Sequence, residues 1–248
     1  MSYFLNQAFW GHPQAVLVFF STLLIVIFIR YLLLASLYQA LLRRFKTGTP
    51  DIFKLKTIQI KREIKWAFLS SLIFTATCAV GLYAYHQGWM KIYLEVDDYP
   101  LWYLPASGAA IILLYETYYY WLHRAMHISA IFRIVHKVHH ESIHPTVFTS
   151  FCFHPLEALM QFIFFPLLLC VMPVHYLVLL TVLMLFTISA LINHSGVEIF
   201  RGRFFLRHVI GSSHHDLHHK EFKTNFGLYF TWWDKWMKTE STKGPGGD

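Results

Sequence analysis

The chain has 248 residues, of which 56% are hydrophobic, 18% aromatic and only 14% charged. That balance excludes an ordinary soluble domain and predicts an integral membrane protein. The formal net charge of +7 is compatible with nucleic acid, but eight basic residues (Arg43, Arg44, Lys46, Lys54, Lys56, Lys61, Arg62 and Lys65) lie between the first two apolar stretches. Positive-inside topology accounts for them there, so we expect a cytoplasmic loop and no nucleic-acid partner.

The first apolar stretch, residues 15–42, is long enough to tilt or bend in a bilayer. With no basic segment or small-residue cleavage site before it, it reads as a retained helix rather than a signal peptide. Residues 66–85 form a second span, and the acidic segment after it (Glu95, Asp97 and Asp98 against Lys91) is expected outside. Residues 106–121 form a third span. Residues 158–192, interrupted by MPVH at 172–175, read as a tight hairpin whose arms of roughly 15–17 apolar residues either cross or dip. Counting crossings from the basic loop puts His123 and everything after the hairpin on the cytoplasmic side. The aromatic run Tyr229, Phe230, Trp232, Trp233 and Trp236, mixed with Lys235 and Lys238, predicts an interfacial helix. Residues 1–243 read as one domain, with 244–248 as a loose tail. Cys78, Cys152 and Cys170 form no spaced pair, which argues against disulfides and zinc–thiolate sites.

The chemistry lies in three histidine clusters: His123 and His127 in HRAMH, His136, His139 and His140 in HKVHH, and His215, His218 and His219 in HHDLHH. Helical residues three or four apart share a face, so each cluster aims imidazoles at one point. Eight convergent imidazoles are too many for one tetrahedral ion, and a two-metal cage follows. His194 in NHSG, at the end of the hairpin, is a ninth candidate ligand. His154, His214, Glu116, Glu157 and Asn193 are candidate supports that orient ligands from outside the cage, with His144 a weaker one. Glu116, two helical turns before His123, is expected to support a ligand or to pair with Arg124. The isolated His12, His86, His175 and His208 are expected outside the site.

A zinc metalloprotease is excluded because Arg124 follows His123 where HExxH needs its Glu. A transporter would spread its ligands near the bilayer midplane, and a haem needs only two axial histidines. GxGxxG and GxxxxGK[ST] are absent. An all-imidazole pair suits iron, copper or zinc. A bilayer offers mainly unactivated C–H bonds, which favours iron with dioxygen, although zinc can fill such a site on purification. A non-catalytic metal-binding membrane protein is the alternative.

From residue 116 to 240 the ordered boxes, with PTVFTSFCFHPLE, NHSG and NFGLYFTWWDKW among them, resemble the membrane-bound fatty acid hydroxylase and sterol desaturase superfamily. The PTVFTS and FHP stretch most resembles its sterol carbon-5 desaturase branch. Glu116 stands where many relatives carry Asp, and WDKWMKTE replaces their usual WDRLFGT. The resemblance implies an all-α membrane fold of four to five transmembrane or re-entrant helices with a cytosolic histidine-rich cap. It implies two iron ions and O2 as co-substrate, acting to hydroxylate or desaturate a sterol, fatty acyl or sphingoid lipid. Balancing the reaction takes two electrons from an external donor such as cytochrome b5, or a ferredoxin with its reductase. Arg124, Arg133, Lys137, Arg201, Arg203 and Arg207 are a candidate docking face. The expected location is a bacterial inner membrane or the endoplasmic reticulum.

Overall fold

A computed structural model describes residues 11–44, 57–200 and 207–241. Lys46, Lys54, Lys56, Arg201, Arg203 and the tail at 244–248 lie outside the described residues.

The apolar stretches form long helices. Helix α1 is Pro13–Arg44 and α2 is Thr57–His86, of 32 and 30 residues. At 1.5 Å per residue both exceed the roughly 30 Å hydrocarbon core. Much of α1 is bare of protein contacts, with Leu17, Val18 and Leu33 about two-thirds exposed, as a lipid-facing surface would be. Helix α3 is Tyr103–Met126, and α8, Tyr176–Asn193, has 18 residues. Among the described residues α1, α2 and α8 are long and apolar enough to cross a membrane. Helix α3 is long enough, but Glu116 and a run of tyrosines lower its apolar character.

Between α3 and α8 lie the short helices α4 (Ser129–Val135), α5 (Lys137–His140), α6 (Pro155–Phe162) and α7 (Phe164–Val171). The first hairpin arm is therefore two pieces, broken at Ile163 as well as at MPVH. Pro166 has no N–H to give the carbonyl of Phe162, so a continuous helix cannot pass that point. A two-stranded parallel ribbon, β1 (Ile92–Tyr93) with β2 (Val174–His175), pairs Ile92 with Val174 and ties the α2–α3 connection to the hairpin tip. The last helices are α9 (Ser212–Glu221) and α10 (Trp232–Trp236).

Two apolar clusters set these elements in place. Ile111, Tyr115, Phe165, Leu168 and Val182 join α3, α7 and α8. Tyr31, Ala35, Ala67, Val147 and Leu191 join α1, α2 and α8 to a 3-10 turn at Val147–Phe151. The aromatic run differs from its expectation. Its helix is only five residues, and Trp233 stacks on Tyr120 of α3 at 5.5 Å while its indole N–H reaches Thr117. These rings close the fold against α3, and Trp236 alone of the tryptophans on α10 is largely exposed.

Candidate metal centre

The polar ends of α3 and α8 meet α4, α5 and α9 at one end of the molecule. There the structure brings the eight clustered histidines and His194 together, in two adjoining groups. One ring nitrogen from each of His123, His127, His136, His140 and His218 lies within 4.8 Å of the others, and the same holds for His139, His194, His215 and His219.

The boxes do not each aim at one point, as the spacing alone implied. His136 and His140 face the five-histidine group while His139 turns to the four-histidine group. In HHDLHH the division is reversed: His215 and His219 join the group of four and His218 the group of five. Helical geometry explains this. Residues i and i+4 are about 40° apart around the axis on one side of the stripe, and i+3 lies about 60° to the other side. Each HxxHH box therefore straddles the wall between the groups.

The hydrogen bonds decide which nitrogens are free. His123 donates Nδ1–H to the carbonyl of Phe226 at 2.9 Å, His139 to Cys152 at 3.2 Å, His194 to Ala190 at 2.7 Å and His218 to Thr224 at 2.7 Å. His136 Nδ1 is hydrogen-bonded to Glu157 Oε1 at 2.8 Å. A carbonyl only accepts and a neutral imidazole has one N–H, so His123, His139, His194 and His218 present Nε2 as a bare lone pair. Nevertheless His123 Nε2 lies 3.1 Å from His136 Nε2, and His139 Nε2 lies 3.3 Å from His194 Nε2. The remaining close pairs are His140–His218 at 3.1 Å, His194–His215 at 3.0 Å and His215–His219 at 3.2 Å.

Protonation does not relieve these pairs. Burial first, and the neighbouring imidazoles second, hold His136, His140, His215 and His219 well below the ordinary histidine value. Burial alone takes His194 down to about 4. In the His139–His194 pair both facing Nε2 atoms are bare, and two lone pairs at that distance repel unless a cation lies between them. Two nitrogens bound to one metal at about 2.1 Å, at angles of about 90–109°, stand about 3.0–3.4 Å apart, which is the spacing seen here. The buried His127 Nε2, His140 Nδ1, His215 Nδ1 and His219 Nδ1 have no hydrogen-bond partner. The donor set fits two metal ions of the imidazole-preferring kind.

The expected supports divide. Glu157 does face a cage histidine and also accepts from Gln161 Nε2 at 3.1 Å. Glu116 pairs with neither a ligand nor Arg124, whose guanidinium lies over Trp121. It accepts three backbone N–H groups, from Leu228, Tyr229 and Phe230. Asn193 donates to the carbonyl of Leu228. Both thereby hold the loop that supplies the Phe226 carbonyl to His123. His154 caps α6 through Leu156 N and packs on Trp66, so its bonds are local rather than to a ligand. His214 lies 3.8 Å from Asp234 and likewise bonds no ligand ring. His175, outside the cage, caps α8 and bonds the Leu94 carbonyl.

Three further carboxylates were not legible in the sequence. Asp234 binds the N–H groups of Phe226 and Gly227, Glu198 binds Ser213 at the start of α9, and Glu63 binds the segment after HKVHH. Nothing in their spacing marks them, because each acts on backbone or hydroxyls distant in sequence.

An all-α membrane scaffold whose histidine boxes converge on two adjoining candidate metal sites defines the class of protein. Residues 108–239, just over half of the chain, match the fatty acid hydroxylase family, and the chain belongs to that family. Among similar proteins, lathosterol oxidase of Homo sapiens is 32% identical over 181 residues, covering 71% of this chain and 60% of that protein. Delta(7)-sterol 5(6)-desaturase ERG3B of Gibberella zeae is 31% identical over 181 residues, 72% of this chain and 55% of that one. Methylsterol monooxygenase 1 of Danio rerio is 30% identical over 190 residues, 72% of this chain and 64% of that one. These match the expected sterol desaturase branch. The chain spans about three-fifths of the length of the curated relatives it matches. No solved structure matches.

Proposed function

We propose that this chain is an oxygen-dependent di-iron lipid oxidoreductase that hydroxylates or desaturates an unactivated C–H position of a membrane lipid, with a sterol as the first candidate. The observation that carries this reading is the convergence of nine imidazoles in two groups, with the bare Nε2 atoms of His139 and His194 face to face. His123, His127, His136, His140 and His218 would hold one iron and His139, His194, His215 and His219 the other. Two irons there would supply the dioxygen-derived oxidising power that C–H cleavage demands.

The chain's own residues do the rest. Carbonyls of Phe226, Cys152, Ala190 and Thr224 hold four imidazoles in one tautomer and one orientation, and Glu157 orients His136. The rings of Phe132, Phe153, Phe222 and Phe226 pack on the histidines and keep water from them. A cavity of about 430 Å³, lined by Phe19, Leu82, Phe165, Leu179 and Leu183 among other apolar side chains but by none of the histidines, lies between α1, α2, α7 and α8 and suits hydrocarbon. The sterol names of the relatives add weight to a sterol substrate.

Reducing one oxygen atom to water while the lipid is oxidised requires two external electrons, and the described residues carry no dinucleotide or flavin motif. Cytochrome b5, or a ferredoxin with its reductase, fits that need. Exposed Arg133, Lys137 and Arg207 offer a basic face for an acidic donor. We place the histidine end on the cytoplasmic side, of the endoplasmic reticulum or of a bacterial inner membrane, on the charge of the α1–α2 connection.

The test is lipid profiling of cells with and without the gene, with a His139→Ala copy for rescue. Loss of one oxygenated or unsaturated sterol, restored by the wild-type copy only, is the expected result. An unchanged lipid profile together with a metal-loaded protein would instead indicate a non-catalytic metal-binding role.

A further inference from the structure

Glu63 lies on α2, before the segment that matches the family, and its side chain is completely buried. Its Oε1 accepts from Ser142 Oγ at 2.7 Å, Thr149 Oγ1 at 2.9 Å and Gln59 Nε2 at 2.9 Å, and its Oε2 accepts from Thr146 Oγ1 at 2.7 Å. The direction of these bonds is determined by the rest of the network. Ser142 Oγ already accepts from Arg62, Thr149 Oγ1 from Thr146 N, and Thr146 Oγ1 from Phe148 N. Each hydroxyl therefore has its hydrogen left for Glu63, and only a group that accepts from every side satisfies all of them.

These hydroxyls belong to the strap that leaves HKVHH and forms the 3-10 turn Val147–Phe151. The next residue is Cys152, whose carbonyl receives His139 Nδ1–H. Phe153 follows, its carbonyl bonded by Ser70 of α2 and its ring 5.1 Å from that of His139. A path of direct contacts thus runs from Glu63 through the strap to the one HKVHH histidine that faces the four-histidine group.

We propose that Glu63 is a positioning residue for that group: it fixes the strap so that the Cys152 carbonyl keeps His139 Nε2 turned toward His194. The inference rests on the two-metal reading above. It assigns to a membrane helix, far from the histidine boxes in sequence, control over one metal and not the other.

The test uses the full chain in lipid nanodiscs, loaded with ferrous iron, with metal affinity read by chelator competition and metal content by mass spectrometry. Wild type should hold about two ions per chain. Glu63→Gln keeps the shape but turns an amide N–H₂ toward Thr146, and should weaken one ion about 10- to 100-fold while leaving the other unchanged. Glu63→Ala should hold about one ion. Lys65→Gln, an exposed change on the same helix, should behave as wild type.

The deciding measurement is the double variant. In a His139→Ala background Glu63→Gln should have no further effect on the remaining ion, because the residue it acts through is gone. Equal weakening of both ions by Glu63→Gln, no weakening of either, or additional loss in the His139→Ala background would overturn the proposal, and the Gln variant decides even if Glu63→Ala fails to fold. A folded wild-type chain with fewer than two ions would refute the two-metal reading itself.

Discussion

Glu157 carries the most exposed consequence of the cage geometry. It and His136 are fully buried, and its Oε1 is hydrogen-bonded to His136 Nδ1 at 2.8 Å and to the Gln161 amide at 3.1 Å. A hydrogen bond to a charged group contributes about 1.5–3 kcal/mol and a neutral one about 1 kcal/mol. Glu157→Gln keeps an oxygen beside His136 and puts an amide N–H₂ in place of the unpartnered Oε2, so the ion in the five-histidine group should weaken by about 1 kcal/mol, roughly five- to tenfold. Glu157→Ala leaves two buried polar groups without a partner, at about 1–3 kcal/mol each. Part of that falls on folding and part on the metal, and affinity should drop about 100-fold, at the upper end for groups that support a ligand. Chelator competition on the folded protein measures both, with thermal unfolding recorded in parallel. If Glu157→Ala binds both ions as tightly as wild type, the Glu157–His136 pair does not support a ligand and the argument from hydrogen-bonded tautomers fails.

His139→Ala and His218→Ala should each abolish activity and lower metal content through different groups, while His86→Ala, far from the cage, should retain activity within a few-fold, measured by lipid product and metal analysis. Because burial takes His194 and His218 down to about 4, their folded forms resist protonation that the unfolded chain accepts below about 6.5. The metal-free protein should therefore keep its full stability above pH 6.5 and lose up to about 1.4 kcal/mol per such histidine for each pH unit between about 6.5 and 4; a melting temperature independent of pH across that window would refute this. A cysteine replacing the exposed Lys61 should react with membrane-impermeant reagents applied from the cytoplasmic side, and one replacing the exposed Asp98 should not. The reverse pattern would invert the proposed orientation.

Composition and apolar runs sufficed for the membrane class and for helices over 15–42, 66–85 and 106–121, because a bilayer demands long apolar segments and backbone bonds made within them. The histidine clusters were equally legible, since their spacing is local and the helix turns three- and four-residue intervals into a shared stripe. The sharing out of each HxxHH box between two groups was not legible. It depends on which helices face the stripe from either side, and that follows from packing across residues distant in sequence. The same cause hid the supports. His154 and His214 stand beside histidine-rich motifs yet bond elsewhere, whereas Glu63 stands beside no motif, Glu198 and Asp234 stand by or in motifs that give them no role, and all three hold the segments that carry the ligands. Periodicity reveals what one helix presents along its own face. Which backbone carbonyl or carboxylate meets each imidazole from behind was decided only when α2, α3, α6 and α9 packed together, because a buried donor must find its acceptor wherever the fold brings one within reach.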